Sequence, residues 1–336
     1  MIFNNYNRRV FITTKLVSFD NLNFKKIGVK MVKRISIIIS IVVLSIFLAA
    51  CTNESGDLDT TSPGAFIGGN SGLEVSFEPM SIIEDGIFTI YDTENFPLEF
   101  ILKNKGEHPV QAGEVQLELL GPAQQDFANI PSWQKINVEE IEEISEFNPE
   151  GDEEVISFTP NDYAEYTADI IGFQDLTFYV DYQYDYKTYL VINDVCFKGD
   201  SRDDRVCTVS EGRTYSVSGA PITVTSVEQD TGGKGVMLLK IGISNLAGGD
   251  ATILGREFDD RFSQVSYTIE DSLGWECKSA GRVGEARLVG GSAEIICQLA
   301  EPLSEDDLFT RSISLTLDYT YRDIVSETLR VKESSE

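Results

Sequence analysis

The sequence predicts an all-β fold made of two tandem β-sandwiches, and three observations carry that expectation. Apolar runs of strand length, alternating or continuous and bounded by Gly, Pro and Asn, recur from Leu73 onward, the pattern of half-buried and buried strands. Helical periodicity is almost absent. The landmarks of residues 73–192 also return, in order, in residues 213–332, which is the mark of an internal repeat. With 336 residues and 42% hydrophobic content, the chain has material for two cores.

From Met31 the chain reads "MVKRISIIISIVVLSIFLAAC": Lys33 and Arg34, then an apolar stretch from Ile35 to Ala50 that ends in Leu48, Ala49 and Ala50 before Cys51. A basic flank, an apolar core and small residues before a cut are the parts of a secretory signal. The ending resembles the lipobox of prokaryotic lipoproteins at all four positions. That resemblance implies a diacylglycerol thioether on Cys51 and cleavage just before it, so that lipid replaces a spanning helix as the anchor. The alternative is an uncleaved signal anchor, for which 16 residues are short against the roughly 20 a spanning helix needs. Residues 1–50 are therefore expected to be leader and signal peptide, with translation starting at Met31. Residues 51–72, rich in Gly, Ser, Thr and Asp, read as a flexible tether.

Residues 73–192 form the first expected sandwich. "FPLEFILKN" and "GEVQLELLGP" are strands joined by a turn-rich connection that holds the only histidine, His108, expected in a solvated loop. "NVEEIEEISEF" places Val138, Ile141 and Ile144 at spacing three and suggests a short amphipathic helix. The second sandwich, residues 213–332, repeats the landmarks: Asn245 after Asn104, Trp275 after Trp133, and Tyr319 after Tyr182 within a shared Asp-Tyr-x-Tyr. The offsets are 141, 142 and 137 residues. Asp181-Tyr182-x-Tyr184 is thereby aligned with Asp318-Tyr319-x-Tyr321. One tyrosine of the motif is expected to plug a core, with the others in exposed cross-strand pairs. An aromatic ligand platform is the functional alternative. "TGGKG" at 231–235 reads as a hairpin turn between strands.

Several short strands and a lone Trp per copy suggest sandwiches of immunoglobulin-like type. The stretch "FILKNKGEHPVQAGEVQLEL" resembles the strand-turn-strand of the CARDB and NEW3 families, Ig-like modules found in tandem on archaeal and bacterial surface proteins. In the second copy the corresponding pair is Leu246 and Ala247 before Gly248 and Gly249. The resemblance implies a surface spacer, adhesion or assembly module without catalytic residues, and it points towards archaea.

Cys196, Cys207, Cys277 and Cys297 remain after Cys51. An even number on an exported chain suggests two disulfides, here the local pairs Cys196 with Cys207, within the 193–212 linker, and Cys277 with Cys297. A four-thiolate zinc site is the runner-up and lacks CxxC spacing. Asp200, Asp203 and Asp204 offer carboxylates that could help bind calcium, without EF-hand spacing; a solvated acidic loop is the alternative.

The formal charge is −28; removing the eight basic residues and one acid of residues 1–51 leaves 19 basic and 54 acidic, or −35. Such a surface repels phosphate backbones, so no nucleic-acid partner is expected. One histidine rules out a multi-histidine metal site, and no GxSxG, P-loop or dinucleotide fingerprint is present. The expectation is an enzymatically inert, cofactor-free protein on the outer face of the cell membrane, bound to membrane lipid through Cys51 and serving structure, adhesion or the binding of a surface protein or glycan. The competing expectation is a substrate- or ion-binding lipoprotein of a transport or envelope-assembly system, which a tyrosine-lined pocket between the two copies would favour.

Overall fold

The computed structural model describes residues 66–209, 212–259 and 261–335. The expectations for the leader, the signal peptide, Cys51 and most of the tether lie outside the described residues. The described chain is all β, with twenty strands and, apart from one short 3-10 turn, no helix among the described residues. The first half holds β1 (Leu73–Phe77), β2 (Ile82–Glu84), β3 (Ile87–Tyr91), β4 (Asn95–Phe96), β5 (Glu99–Asn104), β6 (Val115–Leu120), β7 (Phe127–Ala128), β8 (Gln134–Ile136), β9 (Glu153–Ser157) and β10 (Ala164–Tyr166), and ends in the long β11 (Phe173–Lys198). The second half holds β12 (Tyr215–Val217), β13 (Ile222–Gly233), β14 (Val236–Asn245), β15 (Asp250–Thr252), β16 (Ser263–Glu270), β17 (Trp275–Lys278), β18 (Glu285–Leu288) and β19 (Ser292–Leu299), and ends in the long β20 (Leu308–Lys332).

The alternation in these segments explains the sandwich. β5 and β6 bury every second residue, Phe100, Leu102 and Asn104 on one, Val115, Leu117 and Leu119 on the other. A strand sends successive side chains to opposite faces, so each sheet acquires one apolar face that must be covered. Three-stranded β1-β5-β9 and four-stranded β13-β14-β19-β17 supply one layer, and a ten-stranded sheet built along β18-β16-β20-β11-β6-β8 supplies the other. Their buried residues join in one hydrophobic core. The "TGGKG" segment is the β13–β14 hairpin, in which Gly233 pairs with Val236.

β11 and β20 organise the whole body. They pair antiparallel from Phe173 opposite Lys332 to Lys198 opposite Leu308, with one bulge between Ile192 and Val195. At about 3.3 Å per residue, 26 residues span roughly 85 Å. β11 starts beside β6 of the first half and ends beside β12 of the second; β20 starts beside β16 and ends parallel to β3. Each strand therefore begins in its own half and finishes in the other, and the boundary expected after residue 192 falls inside β11.

Two local expectations are corrected. Residues 137–147 contain no helix. Ile141 is buried and exchanges backbone hydrogen bonds with Val110, at 3.1 and 2.9 Å, while Val138 is exposed. Five glutamates in this segment would stand as like-charge neighbours at spacings three and four on a helix, which disfavours it. The tyrosines of the shared motif are also not divided between core and surface. Tyr182, Tyr184, Tyr186, Tyr319 and Tyr321 are all buried, because the period of two puts every second residue of a straight strand on the same face.

Hydrogen bonds fix the true correspondence between the halves. Asn104 pairs with Leu73 and Asn245 with Ile222, across β1–β5 and β13–β14. Leu73 N donates to the Tyr184 hydroxyl at 3.2 Å and Ile222 N to that of Tyr319 at 3.5 Å. The hydroxyls of Tyr186 and Tyr321 donate to Oδ1 of Asn104 and Asn245, at 3.1 and 3.2 Å. Tyr184 thus corresponds to Tyr319 and Tyr186 to Tyr321, an offset of 135, so the partner of Tyr319 is Tyr184 and not Tyr182. Across the sheet Tyr184 faces Tyr321 and Tyr186 faces Tyr319. Pairing therefore exchanges equivalent residues, and a local pseudo-two-fold passes between Asp185 and Thr320, where Thr320 Oγ1 donates to Asp185 Oδ1 at 2.6 Å. Trp133 and Trp275 do not correspond: Trp133 precedes β8 in the ten-stranded sheet, whereas Trp275 opens β17 in the four-stranded one.

Candidate functional site

The junction around the pseudo-two-fold gathers the unusual side chains. Asn104 is fully buried; its Nδ2 donates to His108 O at 2.7 Å and Ile141 O at 3.2 Å, and its Oδ1 accepts from Gly106 N and the Tyr186 hydroxyl. Asn245 does the same with Gly249 O, Ala247 N and Tyr321. A carboxamide both donates and accepts, so it can hold a tight turn and a tyrosine at once. Gly106 is required where it stands, because a Cβ there would meet the Tyr186 hydroxyl and lie 2.6 Å from Ser71 O and 2.7 Å from Gly219 O. The Glu107 carboxylate accepts from the backbone of Ile67 and Gly68, at 2.8 Å each, and of Gly219 at 2.7 Å, which fastens the entering chain to the body.

His108 is not solvated as expected. Its Nδ1 lies 3.0 Å from the Tyr189 hydroxyl, and its ring meets Tyr186 edge-on. Burial first, and the Lys187 charge second, hold it down to about 4 against the weaker opposing pull of Asp318. It is neutral at pH 7. Burial likewise raises the phenols of Tyr184 and Tyr186 well above their ordinary value and that of Tyr321 to about 12, so the cluster stays protonated.

Two concavities flank this cluster. On the outer face of the ten-stranded sheet, a cleft of about 540 Å³ lies over β6, β8, β11 and β20. Gln116 and Gln183 join across it at 2.9 Å, Arg322 and Asp181 add charge, and Ile136 and Val138 present exposed aliphatic surface. Burial raises the Asp181 carboxyl, with Arg322 opposing. On the inner face a pocket of about 290 Å³ opens between the halves, lined by Asn70–Glu74, Leu246, Ala247, Tyr182, Tyr184, Tyr321 and Asp323.

The other residues singled out in the sequence are not gathered here. Cys196 is bonded to Cys207 and Cys277 to Cys297. Asp200, Asp203 and Asp204 each face a different cation, Arg202, Arg205 and Lys198, and no group of three or more His, Cys, Asp or Glu able to hold a metal occurs among the described residues. Also among the described residues, no helix is long and apolar enough to cross a membrane. Sequence reading missed Asp323, Glu74 and the engagement of His108. The tyrosine run of 179–189 was the one available signal. No family model, curated protein or solved structure matches the chain.

Proposed function

We propose that the chain is an exported protein, held on the outer face of the cell membrane by lipid on Cys51, whose β body binds a surface partner without chemical turnover. The observation that carries the binding role is the open cleft on the outer face of the ten-stranded sheet, of ligand-site size and lined by amides, two carboxylates, the cations Lys135 and Arg322 and exposed aliphatic side chains. It sits on two strands that run through both halves, a stiff platform for a partner. The signal-like segment and lipobox ending at Cys51 support the lipid anchor, and the tandem Ig-like reading fits the sandwich layers. Burial makes the single histidine a weak base, and its Nδ1 is engaged by the Tyr189 hydroxyl. The second reading, a ligand-binding lipoprotein, is favoured by the tyrosine-lined inner pocket.

The test combines labelling and crosslinking on intact cells. The protein should take up an alkynyl fatty acid, lose it in Cys51→Ser, and be cut by external protease. A photocrosslinking residue at Ile136 or Val138 should capture a discrete partner that the same probe at the exposed Ile83, away from the cleft, does not. An unlabelled, protease-protected protein, or equal capture from all three positions, would overturn the proposal.

A further inference from the structure

The inner pocket is charged on one side of the pseudo-two-fold only. Its lining carries two carboxylates, Glu74 and Asp323, and no lysine or arginine. Tyr182 is only 5% exposed, yet its hydroxyl has no hydrogen-bond partner among the described residues, whereas the Tyr184, Tyr186, Tyr319 and Tyr321 hydroxyls all have one. The side chain is held by the core, but the hydroxyl itself is not among the solvent-excluded unsatisfied atoms of the described residues, so it reaches the open space beside it with its lone pairs unused by the protein. Because Tyr182 lines the pocket, a donor bound there can reach that hydroxyl.

The second half provides an internal comparison. By the 135-residue correspondence Tyr182 maps to Leu317 and Asp323 to Thr188. The β1–β13 correspondence, Leu73 to Ile222, maps Glu74 to Thr223. Leu317 and Thr188 are fully buried, and the Thr188 hydroxyl is spent on Ile222 O and Tyr319. At the equivalent position the fold therefore closes with an aliphatic residue and two neutral hydroxyls. The phenol and both acids are not needed to build the junction.

We infer that the inner pocket binds a small organic cation bearing a primary ammonium group, which donates to the Tyr182 hydroxyl and to the Asp323 carboxylate while Glu74 supplies further negative charge at the mouth. An ammonium carries three donors, enough to satisfy the phenol and a carboxylate together. The aromatic walls favour a cation over a neutral ligand, and the volume holds a molecule of a few heavy atoms. This inference rests on the second reading above, not on the outer cleft or on the lipid anchor.

The experiment is calorimetric titration of the purified full-length protein with putrescine, with butane-1,4-diol as the uncharged isostere and calcium chloride as the metal control. Putrescine should bind saturably at one site and the diol should not. Asp323→Asn should weaken binding at least tenfold, Tyr182→Phe about threefold, and Thr223→Ser in the other half not at all, with melting temperatures checked for each variant. No saturable putrescine binding, equal binding of the diol, affinity unchanged in Asp323→Asn, or displacement by calcium at lower concentration would each overturn the inference. Should Asp323→Asn fail to fold, Glu74→Gln and the putrescine-to-diol contrast in the unmodified protein still decide it. Crosslinking at the outer cleft is independent of this pocket, so failure here leaves the surface-partner proposal standing, and the reverse also holds.

Discussion

Replacing Asn104 by Leu removes a carboxamide with little change in volume and isolates the role of the turn asparagine. Four hydrogen bonds are lost in a fully buried place. Ile141 O keeps its bond from Val110 N, and the Tyr186 hydroxyl keeps one from His108 N, so those two groups cost little. Gly106 N loses its Asn104 acceptor and His108 O its Asn104 donor. Each stranded buried group costs about 1–3 kcal/mol, and the two weakened ones less than about 1 kcal/mol. The sum is about 4 kcal/mol, a drop of roughly 10 °C in melting temperature for a unit of this size. Asn245→Leu loses three bonds in a half-buried setting, and about 2 kcal/mol is expected. Urea denaturation followed by tyrosine fluorescence measures both. If the two variants lose equal stability, or if Asn104→Leu loses less than about 1 kcal/mol, the assigned role of the carboxamide is wrong.

Three further outcomes follow from the same contacts. His108 titrates near 4 in the folded protein against an ordinary 6.5, so the unfolded chain binds the extra proton between those values. Stability should therefore fall as pH drops from about 6.5 towards 4, by on the order of 2 kcal/mol after allowing for its partial exposure, and His108→Gln should lose that part of the slope in denaturation curves at pH 7 and 4.5. Gly106→Ala should cost at least about 3 kcal/mol because two backbone oxygens crowd the new Cβ, whereas its counterpart, Ala247, already carries one; an ordinary melt of Gly106→Ala would contradict the packing. Replacing Cys277 and Cys297 together by Ala opens a loop of 20 residues and should cost about 3 kcal/mol without unfolding the protein at 25 °C. The first half manages with Phe158 at the position equivalent to Cys297.

The strand content and the asparagine repeat were legible because each rests on local rules: alternation sets the faces, and a turn that needs both a donor and an acceptor calls for Asn. The tyrosine alignment slipped by two for an equally physical reason. In Tyr182-Gln183-Tyr184-Asp185-Tyr186 a shift of two restores the same pattern and the same face, so only the partners of each hydroxyl set the register. Trp133 and Trp275 kept their spacing but joined different sheets, because a lone aromatic does not specify which strand it will pair beside. The supposed helix at 137–147 shows the limit of periodicity, since spacing three also suits an extended segment touching the core at Ile141 alone. The junction pocket was out of reach: it exists only once β11 and β20 pair, bringing Tyr182 beside Asp323 from far along the chain.

The shared sheet is the central claim, and native-state hydrogen exchange tests it most directly. Amides of residues 180–190 and 315–325 should be the slowest in the protein and should open with one common free energy, equal to that of global unfolding. Two separate unfolding units, with fast exchange at Tyr184 to Tyr186 and Tyr319 to Tyr321, would contradict the account.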